Sequence, residues 1–186
     1  MRREQRVLVD TNVWYSRTLR DWICLLALHG GSDIYTVIWT DDILAELQYS
    51  LRRKYPQLEG GKIAILREKI EETFPDGRIR DYSIDVDGPD PLDGHVRGAA
   101  RSGEADYVVT CNTKDFNGDD LPYEVYTPDE FFLLVHASSP DVVERAARVY
   151  DAYYESSGHD YLVAERLRSA GACGFAKIVA SILSRG

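Results

Sequence analysis

The chain is poor in the features that mark several protein classes. Its three cysteines, Cys24, Cys111 and Cys173, form neither a CxxC pair nor an even framework. A disulfide scaffold is excluded, and free thiols in a reducing compartment fit best. No apolar run approaches the roughly 20 residues that a membrane span needs. The segment Met1–Arg6 is basic, but the apolar run that follows, Val7-Leu8-Val9, is far too short for the hydrophobic core of a secretion signal. These absences lead to the expectation of a cytoplasmic protein without membrane partners. A glycine-rich phosphate loop and a Walker pattern are missing, as are internal repeats and low-complexity segments. The four histidines show no metal-ligand spacing.

Positive charge is also scarce. Twenty-two Lys and Arg face 31 Asp and Glu, a net charge of −9. That argues against holding nucleic acid by bulk charge. It leaves room for a nuclease, because clustered carboxylates add negative charge and a bound divalent cation reverses the local sign. Local basic groups exist at Arg2, Arg3 and Arg6, at Arg52-Arg53-Lys54, and at Arg97 and Arg101; each also reads as an ordinary solvated face.

With 186 residues and 44% hydrophobic content, the chain is long enough for one α/β domain plus a small appendage. Its organising stretch is Val7-Leu8-Val9-Asp10-Thr11-Asn12-Val13. A short Val/Leu run suits a central parallel strand buried on both faces, and puts Asp10 at the strand's carboxyl end, where open α/β sheets bind ligands. Helical spacing follows from Trp14 to Leu28, stopped at Gly30-Gly31; Ile34–Trp39 reads as a second strand. Thr40 caps a helix carrying Glu46 and ended by Pro56. A helix over 62–74, a turn at Pro75-Asp76-Gly77 and a short strand over Arg80–Ile84 come next. Asp85–Leu92 is a loop. Asp93 opens a helix that Gly103 closes. Tyr107–Thr110 is another buried-type strand, ending in Cys111-Asn112-Thr113-Lys114-Asp115, and Tyr123–Tyr126 is a last strand. Thr127-Pro128-Asp129-Glu130 is a capping box.

This strand–helix alternation marks a parallel sheet covered by helices. From Ser139-Pro140 onward only helices are expected. Val143, Ala146, Ala147, Tyr150 and Tyr153 form one stripe ending near Gly158; Leu162, Leu167 and Ala170 form a second; Phe175, Ile178, Val179, Ile182 and Leu183 form a third. The expected division is residues 1–136 as the α/β domain and 137–186 as a helical extension.

In a doubly wound sheet, strand ends and helix starts gather on one edge, so Asp10, Asp93 and the Asn112/Asp115 region are expected to meet there, with Glu46 leaning in from its helix. Crowded carboxylates repel one another and are tolerable when divalent cations neutralise them. Mg²⁺ prefers such hard oxygen ligands, and a pair of ions about 3.5–4 Å apart can drive phosphodiester cleavage with no side-chain nucleophile. Each residue also has a plainer reading. Asp10 or Asn12 serves as an N-cap, Glu46 as a surface carboxylate, Asp93 as a helix cap and Asp115 as an Asx-turn. His95 reads as support for helix packing.

Three segments in this order resemble the PIN-domain family: Val7–Val13; Asp90-Pro91-Leu92-Asp93-Gly94-His95-Val96-Arg97-Gly98-Ala99-Ala100; and Gly103–Phe116, a strand followed by Thr-x-Asn-x-x-Asp-Phe. Glu46, on the helix after the second strand, matches the family's glutamate. The resemblance implies a three-layer sandwich with a central parallel sheet. It further implies a VapC-like ribonuclease toxin that cleaves RNA with Mg²⁺ or Mn²⁺ and is blocked by a cognate antitoxin, usually as a homodimer. Asp10, Glu46 and Asp93 would ligate metal, with Asp115 or Asn112 as the fourth member of the site. Thr11 and Asn112 would orient ligands or the scissile phosphate, and Arg97 would contact the RNA backbone. Leu162–Gly171 followed by Phe175-Ala176 resembles the C-terminal helices of a larger VapC-like subgroup. Two other readings stay open: a binding module with a weakened site, suggested by Asn112 and the net charge, and a metal-dependent DNA nuclease. A haloacid-dehalogenase-type phosphatase wants Asp-x-Asp after its first strand, and Asn12 stands where its second aspartate belongs.

Overall fold

The computed structural model describes residues 4–31, 34–116, 118, 120–156 and 162–184. Four parallel strands, β1 (Gln5–Val9), β2 (Tyr35–Ile38), β3 (Tyr107–Val109) and β4 (Glu124–Tyr126), form a sheet in the order β2-β1-β3-β4. Leu8 is paired with Ile38 on one side and Val108 on the other. Val7, Leu8 and Val9 are fully buried, as a strand covered on both faces requires. The chain leaves β1 for β2 on one side and returns to β3 on the other. The β1/β3 boundary is therefore the topological switch point, where a crevice opens at the strand carboxyl ends.

The stretch from Trp14 to Leu28, expected as one helix, is two: α1 (Thr11–Tyr15) and α2 (Arg17–Gly30). Ser16 adopts extended backbone angles and its hydroxyl accepts from Leu19 N, so it ends the first and caps the second. Helix α3 (Asp41–Lys54) is capped by Thr40, with Asp41 and Asp42 in its first turn. Then come α4 (Gly60–Thr73), α5 (Gly94–Ser102) and α6 (Pro128–Ser138), the last opened by the Thr127–Glu130 capping box.

The strand expected over Arg80–Ile84 is absent. A single parallel bridge, Trp39 to Arg78, extends the β2 edge, and the segment then runs irregularly across α5. Its backbone finds partners there instead of in the sheet: Asp85 N donates to the Gly94 carbonyl at 3.0 Å, and Arg97 Nη2 donates to the Asp85 carbonyl at 2.9 Å. Gly94 and Gly98 make the approach possible. A Cβ on either would intrude on the carbonyl oxygen of Asp85 or Ser83.

The C-terminal helices α7 (Pro140–Ser156), α8 (Val163–Ser169) and α9 (Cys173–Leu183) pack onto α2 and α6 and join the same hydrophobic core. Phe175 lies between Trp22 and Phe132, with ring centroids 4.9 and 5.0 Å away. Helix α9 has no cap of its own; Asp129 of α6 supplies it, accepting from Gly174 N at 2.9 Å and Phe175 N at 2.8 Å. Two expected stripe members prove to be outside. Tyr153 is 59% exposed while Tyr154 is buried, because a stripe of 3.6 period steps by four from Tyr150. Leu162 is exposed at the cap position of α8. The helix end expected near Gly158, His159, and the basic Arg2 and Arg3 lie outside the described residues. Among the described residues no helix is long and apolar enough to cross a membrane.

Phe175→Ala is expected to cost about 3–5 kcal/mol of unfolding free energy, measured by denaturant titration. Gly98→Ala should cost about 1–3 kcal/mol, because the 83–85 backbone must shift. Gly61→Ala, whose Cβ would meet open space, should be neutral or slightly stabilising.

Candidate metal centre

At the switch point, Asp10 follows β1 and is 4% exposed. One carboxylate oxygen accepts from Thr11 N at 2.6 Å; the other accepts from Asn12 Nδ2 at 2.6 Å and from Thr110 Oγ1 at 2.7 Å. Asn12 in turn accepts from Cys111 N at 2.9 Å, and Thr110 Oγ1 accepts from Asn112 N at 3.0 Å. The N-cap reading of Asp10 is therefore correct as far as it goes, and the same side chain ties the ends of β1 and β3 together. Burial pushes its carboxyl above the usual range; the bonds from Thr110 and Thr11 oppose that, and the Glu46 charge adds to it.

Glu46 leans in from the middle of α3 with its side chain 46% exposed. Its Oε2 accepts from Thr11 Oγ1 at 2.9 Å and lies 3.5 Å from His95 Nε2. Thr11 is itself buried, so its hydroxyl sets the direction of the glutamate. The His95 contact holds the Glu46 carboxyl below its ordinary range, and Glu46 raises the histidine. Sequence reasoning gave His95 a packing role; the structure places its Nε2 3.5 Å from Glu46 Oε2. The available signal was its position, two residues past Asp93 in the first turn of α5.

Asp93 precedes α5 without capping it: its side chain makes no cap bond, and Asp90 instead accepts from Leu92 N at 2.8 Å to close the 3-10 turn Pro91–Asp93. The simple capping reading of Asp93 therefore fails. Carboxylate oxygens of Asp90, Asp93 and Asp115 all lie within 4.8 Å of one another. Asp93 is pushed up to about 6, first by burial, then by the charge of Asp10 and by its contact with Asp115. Asp115 sits in the 3-10 turn Thr113–Phe116, accepts from Asn112 Nδ2, and has its carbonyl held by Arg97 Nη1 at 3.1 Å. Of the two candidates after β3, Asp115 is the one that joins Asp93, and Asn112 braces it.

Asp10, Glu46 and Asp93 do not draw together as tightly as the three aspartates do, among the described residues. Asp10 is turned toward Thr11, Asn12 and Thr110, and Glu46 toward Thr11 and His95. The acidic pocket therefore has two lobes, joined by the charge that Asp10 exerts on Asp93. Asp90 went unnoticed as a ligand candidate because its loop composition explained it fully. Arg97 needs correction as well. It is 2% exposed and its guanidinium bonds the Asp85 and Asp115 carbonyls, so it holds the loops around the site and is not available to an RNA backbone.

The three-aspartate lobe offers hard oxygen donors only, the set suited to Mg²⁺ or Mn²⁺. Its internal repulsion is what a divalent cation would relieve. A family model for the PIN domain matches residues 6–114. No curated protein and no solved structure matches the chain.

The raised Asp93 carries a stability consequence. The unfolded carboxyl titrates near 3.8 and the folded one near 6. Between those values the folded state binds more protons, so stability is lost as pH rises through that window. With allowance for solvent screening of this half-buried group, Asp93→Asn is expected to raise the metal-free stability at pH 7.5 by about 1 kcal/mol, read by thermal melts in chelator. Saturating Mg²⁺ should shrink or reverse the gain.

Proposed function

The chain belongs to the PIN-domain family, whose members are generally nucleases, and we propose that it is a divalent-metal-dependent endoribonuclease of the VapC-like toxin type. The observation that carries this reading is the Asp90–Asp93–Asp115 group beside the buried Asp10, at the switch point of a parallel sheet. Asp93 and Asp115, with Asp90, would hold the ion, and Asp10 and Glu46 complete the acidic pocket. Mg²⁺ or Mn²⁺ at such a site supplies Lewis-acid activation of water and neutralises phosphate charge. The chain's own residues prepare the pocket. Asn12 and Thr110 fix Asp10, Thr11 fixes Glu46, and Asn112 fixes Asp115. His95 donates from Nδ1 toward the Leu92 carbonyl at 2.9 Å, which leaves Nε2 facing Glu46 to hold or release a proton. Hydrolysis would leave a 5′-phosphate and a 3′-hydroxyl.

The toxin reading rests on the resemblance of the Val7–Val13, Asp90–Ala100 and Gly103–Phe116 segments together with Glu46, and brings with it a cognate antitoxin, a homodimer and a cytoplasmic setting. In it, residues 1–136 form the nuclease unit. Residues 137–186 are an extension that stabilises this unit through Trp22, Phe132 and Phe175.

Purified protein is expected to cut RNA with Mg²⁺ or Mn²⁺, to stop on chelation, and to lose at least about 100-fold in rate on Asp93→Asn with its fold intact by circular dichroism. Retention of full activity in that variant, or cleavage in chelator, would refute the assignment. Cutting of single-stranded DNA in preference to RNA would move it to a DNA nuclease. Binding without cleavage would make it a weakened module. Growth arrest on expression, relieved by a co-expressed neighbouring reading frame, tests the toxin role.

A further inference from the structure

A groove of about 500 Å³ opens from the acidic pocket between α1 and α3. Thr11, Asn12 and Glu46 form its acidic end, and Tyr15, Ser50, Arg53 and Lys54 line the rest. Positions 46, 50, 53 and 54 recur at helical spacing, so they share one face of α3. From Glu46 to Lys54 the helix rises about 12 Å, the reach of a few nucleotides. The sign of charge changes along that face, from carboxylate to cation.

Three cations, Arg52, Arg53 and Lys54, occupy the last turn of α3 at the far end. A helix C-terminus favours basic residues through its dipole, and Arg52 answers to that reading: its guanidinium is spent on the Leu58 and Pro56 carbonyls of the following loop. Arg53 and Lys54 are exposed and have no acidic partner among the described residues. Lys54 Nζ lies 5.0 Å from the Tyr15 ring centroid and 5.5 Å from that of Tyr55; these rings and their hydroxyls, Tyr15 first, hold the exposed ammonium in place at the groove and keep it charged. The half-buried Tyr15 contributes an aromatic face inside the groove. Meanwhile the basic residues nearest the 85–93 loop are occupied, Arg97 and Arg101 both by Asp85. In a chain of net charge −9, a polyanion entering an acidic pocket needs a compensating path.

We propose that this α1–α3 groove is the track of the unpaired RNA strand adjoining the scissile phosphate, with Arg53 and Lys54 contacting its phosphates and Tyr15 stacking one base; this rests on the nuclease reading above. A single strand fits better than a duplex, because only unpaired bases leave a face free for an aromatic side chain. Arg53, Lys54 and Tyr15 are positioning residues, distant from the reacting atoms.

The test measures binding of a fluorescent single-stranded RNA against salt concentration, in the cleavage-dead Asp93→Asn background, together with steady-state cleavage in the native background. Arg53→Ala/Lys54→Ala should weaken binding about tenfold or more and reduce the log–log salt slope by about 1.4, at roughly 0.7 per lost phosphate contact. The cleavage loss should appear mainly in KM. Tyr15→Ala should weaken binding about 5- to 100-fold with a smaller change of salt slope than the double variant, and Tyr15→Phe, which keeps the ring face, should restore most of the affinity. Lys177→Ala, an exposed charge on α9, serves as the control. If native protein cleaves RNA while these substitutions leave affinity, salt slope and KM unaltered, the groove assignment is overturned and the nuclease reading stands. If native protein neither binds nor cleaves RNA, both fall. If the double variant keeps its RNA affinity and loses a protein inhibitor instead, the groove is a protein-docking site and the proposal fails.

Discussion

The ends of β1 and β3 are held together by one carboxylate, and the geometry of the candidate centre depends on that bond. Asp10 accepts from Thr110 across a separation of 100 positions in the chain, while Asn12 bonds both of them and receives Cys111 N. Two parallel neighbours in a sheet normally diverge at their carboxyl ends where the topology switches. Here side chains bridge the two strand ends just beyond the backbone bond from Asp10 N to the Val109 carbonyl at 3.0 Å. Asp10 therefore works as cap, as strand tie and as the charge that reaches Asp93.

Around that tie the protein keeps more negative charge than it neutralises internally. The Asp85 carboxylate is met by Arg97 and Arg101, and Asp41 by Arg67 and Arg78. The Asp90–Asp93–Asp115 group has no such basic partner among the described residues, and burial, then the charge of Asp10 and the contact with Asp115, push Asp93 up. The loop that carries it is nevertheless firmly placed. Arg97 is buried under it and Gly94 and Gly98 let the 83–85 backbone rest on α5. Rigid placement with unrelieved charge is the expected signature of a site built for a ligand of opposite sign. The α1–α3 groove extends the same electrostatics outward, with the sign reversed.

Much of this was legible in the chain itself. The Val/Leu run ending in Asp10, the Thr40 cap, the Thr127–Glu130 box and the second strand–polar motif at Thr110 are local signals, and the structure has each of them in place. Other features were not. The Arg80–Ile84 stretch has strand-like composition, but its hydrogen-bond partners lie on α5, which local propensity does not report. Arg97 reads as a surface cation by type; only its packing under two loops shows that its charge is consumed. Asp90 and His95 were hidden because a turn and a helix start already accounted for them.

Sequence by itself determined the alternation of strands and helices that makes a parallel sheet, the carboxylates from which a metal site could be drawn, and the helical character of the C-terminal region. These follow from periodicity, capping and turn chemistry, which act over a few neighbouring residues. Tertiary structure alone decided which carboxylates converge, that Asp90 and Asp115 group with Asp93 within 4.8 Å, and that Phe175 closes the core against Trp22. It also decided which cations are drawn into carboxylate pairs, as Arg97 and Arg101 are by Asp85. Those outcomes depend on distances between segments up to a hundred positions apart, and no local rule carries that information.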